Sequence, residues 1–491
     1  MKTHSKLEAR QIRLAAIASL WCLILAGWPF HTIGQRRSLS GPTNPQELEK
    51  FVDSIFAEEM EKQHIPGAVF IFVKDGKVFF SKGYGFANLS SQQRVSAEQT
   101  LFRIGSISKV FTAMAVAQLA DRKRINLNTD VNRYLTKLKV VETFPEPVTA
   151  EHLITHTAGF DEIRPGTQGP NAASVLPLAD FLRPRLMRIR PPGEVIAYST
   201  YGITLAGLLI EDVSKMPFES YLAKNIWKPL DMNKTNLSVP ASLQDDLAVG
   251  YEYVNSVNQP QAYEWYHTTP ASSINSTGMD MARFMIMNLQ NGRYGKARIM
   301  SEGAARDLHA QHASGHPDMP GVAYGFFEDD YQGLRILEHG GNMAGFSSQM
   351  VLLPELNAGF FMVNHHENSN LRDTVKWALL NHYYPPKYPP RVPQPPPDFN
   401  QRASMFIGTY RWNVYCQTCG SRPIPPGQSI KVTANPDGTL SLSSNRKHWI
   451  EVKPLLFLRD DGGGKIAFRM DRSGKVTDLF AGGYWVFERV N

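Results

Sequence analysis

Ser106-Ile107-Ser108-Lys109 sets a hydroxyl and an amine three residues apart. At the start of a helix that spacing puts both on one face. A lysine held neutral there can take the serine proton and leave a nucleophile. Tyr198-Ser199-Thr200 follows Pro191-Pro192-Gly193-Glu194 and precedes the apolar run ITLAGLLIEDV. A phenol beside such a lysine can relay a proton to a leaving group. His339-Gly340-Gly341-Asn342 stands just before an apolar run from Phe346. Glycines there let a strand backbone approach a substrate closely. The backbone N–H of Asn342 then joins that of Ser106 as an oxyanion hole. Taken singly, the three strings also fit a helix-capping serine, a packed aromatic and a tight turn. Ser444 and Lys447 repeat the first spacing without helix context, and we read them as coincidence. The chain has no G-x-S-x-G and no Walker string, which argues against an α/β-hydrolase or a P-loop enzyme.

Such chemistry needs elements to hold it. Leu48, Phe51, Val52, Ile55, Phe56 and Met60 recur at spacings of three and four, so residues 43–64 read as a helix with Asn44 as cap and Pro45 in its first turn. Strands over 68–73 and 77–83 follow, joined at Asp75-Gly76, a strong hairpin signal. A helix followed by an antiparallel hairpin does not suit a doubly wound parallel sheet; it suits an antiparallel sheet covered by helices. Residues 106–121 read as a helix, and 150–300 as mainly helical and rich in loops. A second hairpin lies near 345–364 (FSSQMVLLP, then FFMVN). The sheet is thus built from both ends of the domain, with a mainly helical region inserted between. Residues 385–399 form a proline-rich linker. Beyond it, over 400–491, short β-like runs alternate with Gly/Asp/Asn turns, as in a small all-β barrel.

The order of the three strings, with their contexts, resembles the serine β-lactamase and penicillin-binding superfamily. The likeness is to its class C-related branch of β-lactamases, family VIII carboxylesterases, D-aminopeptidases and DD-peptidases. Phe102-Arg103-Ile104-Gly105, residues 153–159 (LITHTAG), residues 270–284 (PASSINSTGMDMARF) and Gly340 through Ser347 extend the match. It covers residues 45–384; residues 400–491 more faintly resemble a lipocalin-like β module. The resemblance implies an α+β β-lactamase/transpeptidase-like fold. It implies Ser106 as nucleophile, Lys109 as general base, Tyr198 as general acid/base, and the N–H groups of Ser106 and Asn342 as oxyanion donors. Thr200, His339, Gly340 and Gly341 become substrate-binding positions, with His339 either positioning substrate or tuning Tyr198. The residues alone leave open which of Lys109 and Tyr198 is the base. No cofactor and no metal is required.

Two departures narrow the expected substrate. Thr200 stands where the family usually has Asn and offers no amide donor. His339 stands where true β-lactamases have Lys, and a histidine is a poorer fixed cation near neutral pH. An ester or D-amino-acid peptide is therefore expected ahead of a β-lactam. The alternative is a non-catalytic binding protein for peptidoglycan-like envelope ligands on the same fold. The β module is expected either to cover the cleft or to bind a partner.

Composition agrees with a globular, exported protein. The chain has 491 residues, 42% hydrophobic and 20% charged, enough for a sizeable core. Its net charge is +7, but most of that sits at the N-terminus, and the balanced remainder gives no nucleic-acid footprint. A basic start followed by an uncharged apolar run makes residues 1–34 a signal peptide or N-terminal membrane anchor. The body is then periplasmic or extracellular, or anchored in the inner membrane. Cys22 lies in that run as apolar filler. Cys416 and Cys419 form C-x-x-C, either a local disulfide or two reduced thiols. His365-His366-Glu367 reads as a solvated loop.

Overall fold

In the computed structural model, residues 41–163, 165–367, 369–386, 392–419, 428–444 and 447–490 are described. The N-terminal segment 1–34 and Cys22 lie outside them, as does the middle of the proline-rich stretch. Among the described residues no helix is long and apolar enough to cross a membrane.

Helix α1, Pro45–Lys62, starts where the sequence demands: the Asn44 side chain accepts from the N–H groups of Gln46 and Glu47, satisfying two donors that have no partner inside the helix. It buries Leu48, Val52 and Phe56. Strands β1 (Gly67–Lys74) and β2 (Lys77–Asn88) follow. Asp75 and Gly76 between them both have positive φ, 52° and 73°, which is the twist a two-residue hairpin needs. After the short β3 (Gln93–Arg94), the chain leaves the sheet and returns as β4 (Ala313–Ser314), β5 (Gly321–Val322), β6 (Phe327–Tyr331), β7 (Leu334–Met343), β8 (Phe346–Leu353) and β9 (Ala358–Asn364). The nine strands lie in the order β4-β5-β6-β7-β8-β9-β1-β2-β3, every neighbouring pair antiparallel. Both ends of the chain segment thus meet at β9 and β1.

Alternation along β1 splits its side chains between two layers. Phe70 meets Phe56 of α1, ring centroids 5.8 Å apart. Val69, Ile71 and Val73 join the main core with helices α2 (Ser108–Asp121), α3 (Ala150–Ile154), α4 (Thr200–Ser214), α5 (Thr269–Ser272) and α6 (Gly278–Leu289). Helix α7 (Leu371–Tyr383) packs beside α1. Residues 108–119 of α2 are all buried, so this helix runs through the core and not over it.

Beyond the linker region, eight antiparallel strands close a barrel, from Gly408–Trp412 (β10) through Ser429–Ala434, Leu440–Leu442, His448–Lys453, Leu456–Arg459, Lys465–Met470 and Val476–Ala481 (β16) to Trp485–Val490 (β17). Phe399, Phe406, Tyr410, Phe457 and Phe468 fill it. Residues from Pro42 onward form one compact unit, and the barrel is bound into it. Val195, Ile196, Val322 and Phe327 share a core with Leu456, Phe480 and Val486. Arg190 bonds the Glu488 carboxylate at 2.6 Å.

Two local readings change. Cys416 and Cys419 are joined in a disulfide, Cα atoms 5.5 Å apart, which settles the open choice between bridge and thiols. His365 is not in a solvated loop. It continues from β9 and is fully buried among Phe102, Tyr251 and Phe346, with Nδ1 2.5 Å from the Val249 carbonyl oxygen. The residue types suggested solvent; the inward turn after Asn364 decided otherwise.

Candidate active site

A short 3₁₀ turn, Gly105–Ile107, precedes α2, so Ser106 sits just outside the α-helix proper. The turn is stitched down on every side. Ser108 Oγ donates to the Gly105 carbonyl at 2.7 Å and accepts from Ile274 N–H at 3.1 Å. Ile104 N–H donates to the Ile274 carbonyl at 3.0 Å, and Ser348 Oγ donates to the Ile104 carbonyl at 2.9 Å. Within residues 101–110 only Ser106 is not buried.

Lys109 Nζ lies 3.0 Å from Ser106 Oγ and donates to the Ala271 carbonyl at 2.8 Å. Tyr198 O–H donates to Ser106 Oγ at 2.9 Å, and the ammonium stands 4.8 Å from the Tyr198 ring centroid. Burial pushes Lys109 down to about 7, with the negative charge of Glu162 pulling the other way. An amine that titrates there is available unprotonated at neutral pH. If its neutral form is the one that works, acylation of the wild-type chain rises with pH through an acid limb near 7. A rate flat from pH 5 to 9 would remove Lys109 from the proton path.

The third string is placed by the sheet. β6 pairs with β7 only as far as Glu338, leaving residues 339–343 with an open edge. The Ser106 turn docks on that edge. β7 and β8 are joined by the two-residue turn Ala344-Gly345, with Met343 opposite Phe346 and Asn342 opposite Ser347. Hydrogen-bonded and open pairs alternate away from such a turn, so the Asn342 N–H points out of the ladder toward the open edge. A Cβ on Gly105 would lie 3.2 Å from that nitrogen. A Cβ on Gly341 would come 2.2 Å from the Ile104 carbonyl oxygen and 3.0 Å from Ser106 N. The glycine therefore permits approach of the strand to the Ser106 turn, and not simply to a substrate.

His339 is 2% exposed. It packs behind Tyr198, ring centroids 6.5 Å apart, with Nδ1 2.7 Å from the Gly340 carbonyl oxygen. Burial, with the charges of Lys109 and Arg372, pushes it down to about 3, so it is a neutral wall behind the phenol. Gly340 faces Gln349 across the ladder. Thr200 is the first residue of α4 and partly exposed.

Four contributors escaped the sequence reading. His156 Nδ1 accepts from Ser199 N–H at 3.1 Å, and its ring lies 4.7 Å from that of Tyr198; the LITHTAG string was its signal. Glu162 accepts from Ser199 Oγ at 2.7 Å. Arg372 of α7 donates to Asn342 Oδ1 at 3.1 Å, placing a cation beside β7 although position 339 has none. Tyr484 arrives from the barrel. No spacing in the chain announces the last three.

A family model described as Beta-lactamase matches residues 52–384. The chain belongs to the Beta-lactamase family. Protein flp of Staphylococcus aureus strain MRSA252 is 27% identical over 350 residues, 68% of this chain and 67% of its own. A beta-lactamase of Yersinia enterocolitica is 29% identical over 265 residues, 54% of this chain and 64% of its own. Among solved structures, the octameric penicillin-binding protein homologue from Pyrococcus abyssi superimposes with a TM-score of 0.60 at 23% identity, covering 90% of this chain and all (100%) of that one. This likeness shows the fold.

In this chain the barrel reaches the side of the sheet that carries Phe327 and Tyr198. The tip between β16 and β17 presses against the sheet, where a Cβ on Gly483 would meet the Glu328 carbonyl oxygen at 2.3 Å. Tyr484 then stacks on Phe327 at 3.8 Å and reaches within 6.5 Å of the Tyr198 ring. Tyr484→Ala should open the Tyr198 end of the cleft. The ratio of kcat/KM for bulky over small leaving groups is expected to rise roughly tenfold, the scale on which a pocket discriminates size. An unchanged ratio in ester assays would show that the barrel does not restrict substrate there.

Proposed function

We propose that this chain is an exported serine hydrolase that works through an acyl-enzyme on Ser106. One observation carries the reading: Ser106 Oγ is the meeting point of Lys109 Nζ at 3.0 Å and Tyr198 O–H at 2.9 Å, in a buried setting that favours the neutral amine. Ser106 Oγ attacks the substrate carbonyl carbon as its proton passes to Lys109, the general base. The oxygen that gains charge is held between the N–H groups of Ser106 and Asn342. Collapse breaks the bond to the leaving group, which takes the proton through the Lys109–Tyr198 pair. Water then repeats the attack on the acyl-enzyme and releases the acid.

An ester or a D-amino-acid peptide fits as substrate. Neutral His339 and the missing amide at Thr200 count against a β-lactam. Arg372 favours substrates that carry an acidic group near the oxyanion strand. The test is intact-protein mass after exposure to a fluorophosphonate, with peptide mapping of the adduct, followed by p-nitrophenyl butyrate and nitrocefin assays. One adduct on Ser106 with a high ester-to-nitrocefin ratio is expected. No adduct would favour a non-catalytic envelope-binding protein.

A further inference from the structure

Asp161 and Glu162 are adjacent carboxylates that face opposite ways. Asp161 is fully buried and is taken up by the barrel: it accepts from Gln417 N–H at 2.9 Å, Thr418 N–H at 3.0 Å and Thr418 Oγ1 at 2.6 Å, beside the disulfide. That anchors the backbone from which Glu162 reaches back. Glu162 Oε1 accepts from Ser199 Oγ at 2.7 Å and Tyr201 N–H at 3.2 Å, and the Thr200 backbone bonds the same carboxylate. It therefore sits at the start of α4, where unpaired N–H groups and the helix dipole favour a negative charge. The residue these bonds hold in place is Tyr198, immediately before the Ser199 cap.

We infer that Glu162 is a positioning residue for this site: it fixes the Tyr198-Ser199-Thr200 turn against Ser106 and sets its negative charge opposite Lys109. The inference rests on the hydrolase reading above. Lys109 is faced by Ser106 from its own turn, by the Ala271 carbonyl of α5, by the Tyr198 ring, by His156, and by His339 of β7. Burial holds both histidines neutral. Glu162 is the group whose charge opposes burial at Lys109; burial raises Glu162 itself, while the bonds from Ser199, Tyr201 and Thr200 and the charge of Lys109 pull it back toward the carboxylate. Around Glu162 itself stand Ser199, the Tyr201 phenol and Lys109.

The experiment is the rate of fluorophosphonate labelling of the full chain against pH, for wild type, Glu162→Gln and Ser199→Ala. In Glu162→Gln the amide keeps the size of the side chain but not its charge. The acid limb should move to lower pH, because nothing then opposes burial at Lys109. The plateau rate should fall by up to about tenfold, because the amide oxygen still accepts from Ser199 and Tyr201 but more weakly than a carboxylate. Ser199→Ala removes the bond to Glu162 and the capping bond from Gly202 N–H at 2.9 Å but keeps the carboxylate, so the plateau should fall while the limb stays. An unmoved limb in Glu162→Gln, whatever its plateau, overturns the proposal. If Glu162→Gln does not fold, a wild-type plateau in Ser199→Ala overturns it instead. A wild-type chain that forms no adduct at any pH removes the hydrolase reading itself, and this inference with it.

Discussion

Ser106→Ala should abolish fluorophosphonate labelling and lower ester turnover by roughly 10⁴–10⁶, the range seen when a serine nucleophile acting with its base is removed. The geometry makes the loss steep. Ser106 is the partly exposed residue of a buried turn, and both Lys109 and Tyr198 direct a polar atom at its Oγ. With the hydroxyl gone, the amine and the phenol have no nucleophile to serve, so their contributions vanish together and do not add separately. Any residual rate would come from the oxyanion donors and from binding. The fold should survive. Lys109 keeps its bond to the Ala271 carbonyl, and losing hydrogen bonds at a half-open serine costs about 1 kcal/mol each. The check is turnover alongside a thermal melt. Wild-type turnover in a folded Ser106→Ala chain would sink the acyl-enzyme mechanism.

Gly341→Ala should cost roughly 10²–10³ in turnover, the scale of losing one oxyanion donor. The added methyl would stand 2.2 Å from the Ile104 carbonyl oxygen, a backbone atom that cannot swing aside. Ile104 is held from two directions, by Ile274 and by Ser348. Gly341 is held by its pairing with Ser348. Strand and turn must therefore separate, and the N–H groups of Ser106 and Asn342 move apart with them. Gly303→Ala is the control, since the nearest atom to its added Cβ is 3.9 Å away; it should keep full activity. Equal labelling rates for Gly341→Ala and wild type would mean that the strand is not part of the site.

Much of this was written locally. Asn44, Pro45, Asp75 and Gly76 dictate a helix start and a hairpin through backbone preferences that depend on a few neighbours. Ser106 and Lys109 meet because one helical turn separates them. A small all-β barrel was legible from alternating runs between turns, though not its eight strands, and the antiparallel sheet from the hairpins at both ends. His365 misled because its type was read without its strand: two adjacent histidines and a glutamate suggest solvent until the backbone turns one of them into the core.

The order Ser106, Lys109, Tyr198, His339-Gly340-Gly341 sufficed by itself to indicate the family, because side chains that must share one proton are restricted in type and spacing. The tertiary structure alone decided that His339 stands neutral behind Tyr198, that Arg372 supplies a cation next to Asn342, and that Tyr484 reaches from the barrel to Phe327 and toward Tyr198. It also decided that Glu162 grips the Tyr198 turn. The physical reason is the same in each case. Burial, charge and reach depend on which distant segments pack together, and segments as far apart in the chain as Phe327 and Tyr484 share no local pattern from which their contact could be read.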